Sequence, residues 1–274
     1  MNPDRKEALA RFVLDYLVKE ARSHGAWVLD DAAAVAADPS ASFESVWLAA
    51  RAMMNVRPPW KASAEFLMAQ DELLAALIAE MGVSTLASCE ACSNDARIRL
   101  WRGDITTLAV GAIVNAANSG MTGCWQPLHY CIDNAIHTFA GVQLRVKMAE
   151  LMEAQGHEEP TGQARITSAY NLPAKHIIHT VGPIANGRPT DEHRTQLAHS
   201  YRACLDTAEA QDCLSMAFCC ISTGVFGFPQ REAAEIALET VREWLASHTD
   251  SPLIVIFNVF GESDEAIYRE LLGL

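Results

Sequence analysis

What this chain has least of is positive charge. Its 274 residues carry 21 lysines and arginines against 34 aspartates and glutamates, a formal net charge of −13. A nucleic-acid partner is not expected, because neutralising a row of phosphates needs a dense Lys/Arg surface. A phosphate ligand would have to be gripped by backbone N–H groups. Long apolar runs are missing as well. None approaches the roughly 20 residues of a membrane-spanning helix, and the N-terminal MNPDRKEALARFVLDYLVKEAR breaks its apolar positions with charge, unlike a secretory signal. A soluble, cytoplasmic protein without membrane attachment is the expectation. Eight cysteines are too sparse for a disulfide scaffold in a chain this long and read as thiols or metal ligands in a reducing compartment. No internal repeat and no low-complexity tract is evident.

The apolar content, 50% of residues, is enough to bury a full core. Residues 5 to 21 place Leu9, Phe12, Val13, Tyr16 and Leu17 at helical spacing. A second helix is expected after Asp38-Pro39, read as N-cap and first turn, carrying Val46, Trp47, Ala50, Met53 and Met54 until VRPPW stops it. A third runs from about Ser63, with Leu67, Leu74, Leu77, Ile78 and Met81 on one face, and ends at Gly82. The polar SCEACSNDAR then changes the character of the chain. From Ile98 onward the runs IRLW, AIVNAA, ARITSAY, HIIHTV, SMAFCCIS and LIVIFNVF alternate with helical stretches. Strands separated in this way imply crossover units and a mostly parallel sheet. The expected organisation is a helical extension over residues 1–94, packed on an α/β domain over residues 95–274, with ligands gathering beyond the strand C-termini.

Three motifs fall at such strand ends. GDITTL (residues 103–108) follows IRLW with a glycine turn and Asp104, which alone reads equally as a helix cap. IVNAANS (113–119) runs a buried strand into Asn115 and Asn118, side chains that suit sugar hydroxyls or simple turn chemistry. ISTGVFGFP (221–229) leaves SMAFCCIS through Gly224 and Gly227 into a helix beginning near Pro229. Glycines there let backbone N–H groups approach an anion, and the helix N-terminus adds a favourable field. The loop has neither GK[ST] nor GxGxxG, so it suits a diphosphate bound without lysine.

Together with PTGQARITSAYNLPAKHIIHTVGP, these segments resemble the macrodomain family in sequence and order, over about residues 97 to 272. The resemblance implies a three-layer α/β/α sandwich with a mixed, mostly parallel sheet whose crevice holds ADP-ribose. It further implies that Asp104, with Ile105 beside it, meets adenine, and that Asn115 and Asn118 lie near the distal ribose. The loop of Ser222, Thr223, Gly224, Val225 and Phe226 would wrap the diphosphate, with Phe226 also bordering the distal sugar. Phe260 in FNVFGESD would stand beside adenine.

Many macrodomains follow NAANS with a run of glycines. Here that run reads GCWQPLHYC and the next helix starts IDNAIH. The C-x4-H-x-C arrangement resembles the zinc-dependent bacterial subclass, described as ADP-ribosyl hydrolases, and would put Cys124, His129 and Cys131 beside the distal ribose, holding one zinc ion per chain. Thiolate and imidazole are preferred zinc ligands, and three protein ligands leave one tetrahedral corner open, as catalytic sites do. His137, six residues beyond Cys131, would point roughly 240° around a helix starting there. It makes a poor fourth ligand, and either pairs with Asp133 four residues away or is packed. Asp133 matches the acidic residue often proposed as general base, and alternatively stabilises the helix N-terminus.

Cys89 and Cys92 lack a second CxxC and read as exposed or partly buried thiols. Cys204, Cys213, Cys219 and Cys220 read as core thiols. His157, His176, His179, His193, His199 and His248 have no ligand-like neighbours and read as structural or solvated.

The resemblance implies hydrolysis that releases ADP-ribose from modified acidic side chains. Asp133 and Asn118 would act in it beside Cys124, His129 and Cys131. The substrate would be a mono-ADP-ribosylated protein, with a lipoyl-carrier protein modified by a sirtuin-like transferase as candidate. Two rivals stay open, a module that only reads ADP-ribosylated proteins and a purely structural zinc with function in the helical extension.

Overall fold

The stripe over residues 5 to 21 forms helix α1 (Pro3–Ser23), whose N-terminus is closed by the Asn2 side chain accepting from the Asp4 N–H. Its core face is Leu9, Val13, Leu14, Leu17 and Val18. The computed structural model describes residues 1–274 and divides into two compact units. One holds residues 1–82, 122–154 and 170–172, the other residues 83–121, 155–169 and 173–274. The first therefore gathers helices from both sides of residue 94.

In the helical unit, α2 (Asp30–Ala37), α3 (Phe43–Val56) and α4 (Ala64–Met81) follow α1. Helix α2 was not expected from the sequence, and Asp38-Pro39 does not start the next helix. Asp38 closes α2, its carboxylate accepts from the N–H and hydroxyl of Ser40, and Ser42 caps α3 by accepting from the Ser45 N–H. A serine closer to the apolar run wins the cap because it can reach the third N–H of that helix. Helix α4 begins after Ser63 and ends at Gly82 with φ 88°, as expected. Its buried face is rotated, however: Phe66, Gln70, Leu73, Leu74, Ala76 and Ile78 are inside, while Met81 is 45% exposed. Gln70 accounts for the rotation. Its Oε1 accepts from the N–H of Val142, the first residue of α6 (Val142–Gln155), and its Nε2 donates to Gln143. A buried amide that satisfies an orphan helix-terminal N–H fixes which face of α4 turns inward. Helix α5 (Ile132–Ala140) completes this unit and contacts α3 and α4.

One ion pair in the helical unit is sealed from water. Arg57 donates from Nε and Nη2 to the two carboxylate oxygens of Glu20, each at 2.7 Å, and both side chains are buried. Removing one partner strands the other charge, which costs about 3–5 kcal/mol. Glu20→Ala is expected to lower the unfolding free energy by that amount in urea titrations, whereas the exposed pair Arg231–Glu270 should respond to Glu270→Ala by under ~1 kcal/mol.

In the sheet unit all six expected runs are strands: β3 (Ile98–Arg102), β5 (Ala112–Ala116), β6 (Ala164–Ser168), β7 (His176–Thr180), β8 (Ser215–Phe218) and β9 (Ile254–Val259). With β2 (Glu90–Ala91) they form a seven-stranded sheet of order β2-β3-β9-β8-β5-β7-β6. The inner five strands are parallel, and β2 and β6 run antiparallel at the edges. The two-residue pieces β1 (Ser84–Thr85) and β4 (Leu108–Ala109) pair separately. Helices α7 (Asp191–Ala210) and α9 (Glu262–Leu272) contact the sheet, and α8 (Gln230–Ser247) contacts both of them. This mixed, mostly parallel sheet with helices against it is the expected fold class. No helix is long and apolar enough to cross a membrane.

Cys89 and Cys92 depart from expectation, being buried at 4% exposure each. Pairing of β2 with β3 draws the polar-looking SCEACS segment onto the sheet edge. There the Cys92 thiol faces the Leu272 carbonyl.

Candidate functional site

Parallel pairing delivers five strand C-termini to one end of the sheet, and four of them lead into the sequence motifs. After β3, Asp104 caps a single turn, its Oδ1 accepting from the N–H and hydroxyl of Thr106 at 2.9 and 2.7 Å. The capping role is thus real, and it occupies only one carboxylate oxygen. Ile105 beside it is buried. After β9, the Phe260 ring is 60% exposed.

At the end of β5 the two asparagines differ. Asn118 is exposed and folds back, its Oδ1 accepting from the Gly120 N–H at 3.0 Å. Asn115 is fully buried, with Nδ2 3.2 Å from His179 Nδ1. The other ring nitrogen of His179 is 3.0 Å from the Thr167 hydroxyl. With the Asn115 amide donating, Nδ1 accepts and the proton sits on Nε2, a tautomer assigned from its partners. His179 is therefore a positioning group beneath the NAANS turn, which its lone place in HIIHTV gave no signal of. Glu158 and Glu159 were missed for the same reason. Glu158 accepts from the Ser119 hydroxyl, the Glu159 N–H donates to the Ser119 carbonyl, and the buried Glu159 carboxylate pairs with Arg165 at 3.0 Å.

The loop after β8 has the form of an anion cradle. Ser222 is buried in the left-handed region at φ 67°, a conformation that costs a side chain about 1–2 kcal/mol. It is held by its carbonyl accepting from the Phe228 N–H at 2.9 Å, and its hydroxyl has no partner in the chain. Gly182 faces it; any Cβ there would strike the Ser222 hydroxyl. The Phe226 carbonyl accepts from the Ala185 and Asn186 N–H groups, whereas the N–H groups of Gly224, Val225 and Phe226 donate to nothing in the chain. Consecutive unengaged N–H groups preceding a helix, here α8, are a fixed positive concavity.

The second candidate centre belongs to the helical unit. The metal-binding atoms of Cys124, His129 and Cys131 all lie within 4.8 Å of one another, with Cys124 Sγ and His129 Nδ1 3.5 Å apart and all three side chains half-buried. Tetrahedral zinc with ordinary bond lengths sets a sulfur and a nitrogen donor about 3.5 Å apart and two sulfurs about 3.8 Å apart. The donor chemistry and spacing fit that ion, and no fourth histidine, cysteine or carboxylate joins the group. Cys131 is also the N-cap of α5, its Sγ accepting from the Asn134 N–H. Burial, with Cys124 adding to it, pushes the Cys131 thiol up to about 12, so it stays neutral unless a cation stands against it. Asp133 is buried in the first turn of α5 with Oδ1 3.6 Å from His137 Nε2. His137 is also packed: a Cβ on Gly123 (φ 87°) would lie 2.8 Å from its ring. Both sequence alternatives for His137 hold at once.

The model of the Macro domain family matches residues 114–237. A curated protein-ADP-ribose hydrolase of Treponema medium is 51% identical over 96% of this chain and 97% of its own. One from Staphylococcus aureus strain MRSA252 is 50% identical over 84% and 85%. Among solved structures, the Oceanobacillus iheyensis macrodomain with ADP is 39% identical, covering 68% of this chain and 94% of that one at a TM-score of 0.60. The chain belongs to the macrodomain family.

Burial in β7 pushes the His179 imidazole down to about 3, well below its ordinary value near 6.5. The folded state thus refuses a proton that the unfolded chain accepts. The resulting stability is fully present above pH ~6.5 and is lost as pH falls below that toward 3. Denaturant titrations between pH 7 and 4 are expected to show this pH dependence in the wild type and its loss in His179→Gln.

Proposed function

We propose that this chain is a zinc-dependent ADP-ribosyl hydrolase that removes mono-ADP-ribose from acidic side chains of proteins. The observation that carries the reading is the Cys124, His129 and Cys131 cluster, three soft donors gathered without a fourth, in a chain whose relatives from Treponema medium and Staphylococcus aureus are named protein-ADP-ribose hydrolases. A closed set of four would favour a structural ion; an open corner favours a catalytic one.

In this reading the sheet unit binds the nucleotide. The free Asp104 oxygen accepts from the adenine amino group beside Ile105, and the exposed Phe260 ring borders the base. The N–H groups of Gly224, Val225 and Phe226, with Ser222 and Thr223, take the diphosphate. That choice suits an acidic chain, because it needs no lysine. Asn118 meets the distal ribose, and Asn115, locked by His179, supports the turn that presents it.

Cys124, His129 and Cys131 hold the zinc, which when bound supplies Lewis acidity and a fixed point for an oxygen ligand. Asp133 takes the proton of the attacking water, and hydrolysis separates the ribose anomeric carbon from the side-chain carboxylate. The two thiolates of Cys124 and Cys131 would temper the charge of such an ion and so weaken its Lewis acidity. A lipoyl-carrier protein modified by a sirtuin-like transferase is the candidate substrate on family resemblance alone.

The test uses a protein ADP-ribosylated on Asp or Glu and reads released ADP-ribose and zinc content together. Cys124→Ala, His129→Ala and Cys131→Ala are expected to lose zinc and activity in parallel. Asp133→Ala should retain zinc and ADP-ribose affinity while kcat falls by roughly 10²–10⁴, the usual contribution of a general base. Label retained by zinc-loaded wild type would make the chain a reader, and full activity after complete chelation would remove zinc from the reaction.

A further inference from the structure

The metal-ligand loop holds its own shape only in part, Trp125 Nε1 donating to the Thr122 hydroxyl and the His129 N–H to the Gln126 carbonyl. Within residues 121–128, Met121, Gly123 and Leu128 all have positive φ, at 57°, 87° and 54°. For Met121 and Leu128 this is a strained conformation. Further groups that fix the loop from Thr122 onward come from elsewhere in the helical unit. The buried guanidinium of Arg145 on α6 donates to the Thr122 carbonyl at 2.7 Å and to the Cys124 carbonyl at 3.5 Å. Its remaining nitrogen donates to the carbonyls of Met54 and Arg57 at the end of α3. Its face also lies 4.2 Å from the Trp125 ring centre. Burial lowers the Arg145 guanidinium to about 10, so it remains a cation at neutral pH.

Helix α3 makes two further attachments. Asn55, 2% exposed, accepts from the Leu128 N–H at 3.0 Å and donates to the Thr138 hydroxyl of α5 at 3.0 Å. Arg51 donates to the Asn134 side chain, which donates in turn to the Gln126 carbonyl; the Asn134 N–H meets Cys131 Sγ. Hydrogen bonds from α3, α5 and α6 thus reach the loop at residues 122, 124, 126 and 128, between and around the donors.

We propose that Asn55 and Arg145 are positioning residues of the metal centre. The last turn of α3 acts as a template that holds residues 122–131 in the ligating arrangement before an ion arrives. This rests on the reading of Cys124, His129 and Cys131 as a metal site, and it gives the N-terminal helices a role in that site. Preorganisation of this kind sets affinity, because an ion entering a disordered loop must order it at its own expense.

The test compares wild type, Asn55→Ala, Asn55→Asp and Arg145→Lys. It reads zinc affinity by chelator competition, the absorption spectrum of the cobalt(II) form, and melting temperature with and without zinc. Asn55→Ala and Arg145→Lys are expected to weaken zinc binding by roughly 10–100-fold, the usual effect of groups that orient metal ligands. They should also reduce the thiolate-to-cobalt charge-transfer intensity and shrink the zinc-induced rise in melting temperature. Asn55→Asp keeps the oxygen that accepts from Leu128 and is expected to bind zinc within about threefold of wild type. Should Asn55→Ala not fold, Asn55→Asp and Arg145→Lys still oppose each other in the same assay.

Wild-type zinc affinity and cobalt spectrum in Asn55→Ala and Arg145→Lys, with only the metal-free melting temperature lowered, would reduce both residues to packing. Equal weakening in Asn55→Asp and Asn55→Ala would also overturn the assignment to the Leu128 bond. A wild type that binds no zinc would instead sink the metal reading on which this rests.

Discussion

A buried guanidinium must spread its charge over acceptors, and in this molecule Arg145 spreads it over four backbone carbonyls from two distant stretches of chain. The Met54 and Arg57 carbonyls, whose bonds to Arg145 are buried, would otherwise be left unsatisfied at about 1–3 kcal/mol apiece. The arrangement is therefore mutual. Arg145 is tolerated inside because the loop after residue 121 and the end of α3 turn their carbonyls toward it, and it in turn helps to hold the positive-φ loop. Glu20 and Arg57 do the same one step away. Their closed ion pair fixes the end of α3 while the Arg57 carbonyl receives Arg145. Two buried cations and one buried carboxylate thus organise the helical unit around the segment that carries the soft donors.

The sheet unit solves a different problem with a similar economy. A parallel sheet sends its strand C-termini to one end, so loops far apart in sequence share an edge without any side-chain contact having to bring them there. What remains is local. Ser222 accepts a strained backbone conformation, and Gly182 withdraws its side chain to make room. The N–H groups of Gly224, Val225 and Phe226 are left without internal partners. Beneath the neighbouring strand, His179 and Thr167 lock Asn115 from the inner side. The polar parts of this edge are supported from below by groups too buried to meet a ligand themselves.

This separation explains what could be read from the sequence. The six strand runs, the α4 cap and the C-x4-H-x-C cluster are short-range signals: periodicity, a serine before a helix, donors a few residues apart. All of these survive in the structure. The residues that support the site carry no such signal. Asn55 lies about 70 residues from the Leu128 N–H it receives, and Arg145 looks like any arginine on a helix. His179 sits in an apolar strand where a core histidine is the ordinary expectation. The errors have the same origin. Asp38-Pro39 has the composition of a helix start, but Ser42 stands nearer the apolar run. Periodicity alone does not give the face of α4, where Gln70 accepts from the Val142 N–H and donates to Gln143 of α6. Cys89 and Cys92 sit in a polar segment that edge pairing with β3 carries inside.

The acidic balance of the chain brings these observations together. With a net charge of −13, the diphosphate and the divalent cation of the proposed function would make opposite demands. The cation is attracted by the overall field, so its donors need only be soft and correctly spaced; the anion is repelled and needs a strong local positive field. Arginine would be the usual answer, but both buried arginines of the helical unit spend four of their five N–H donors on carbonyls and on Glu20. The anion cradle accordingly falls to backbone N–H groups ahead of α8, a positive field fixed by the main chain that no change of protonation can remove. Recognition of that kind depends on the path of the backbone more than on any single side chain. The strained Ser222 and the absent Cβ of Gly182 therefore matter more to it than any charged residue nearby.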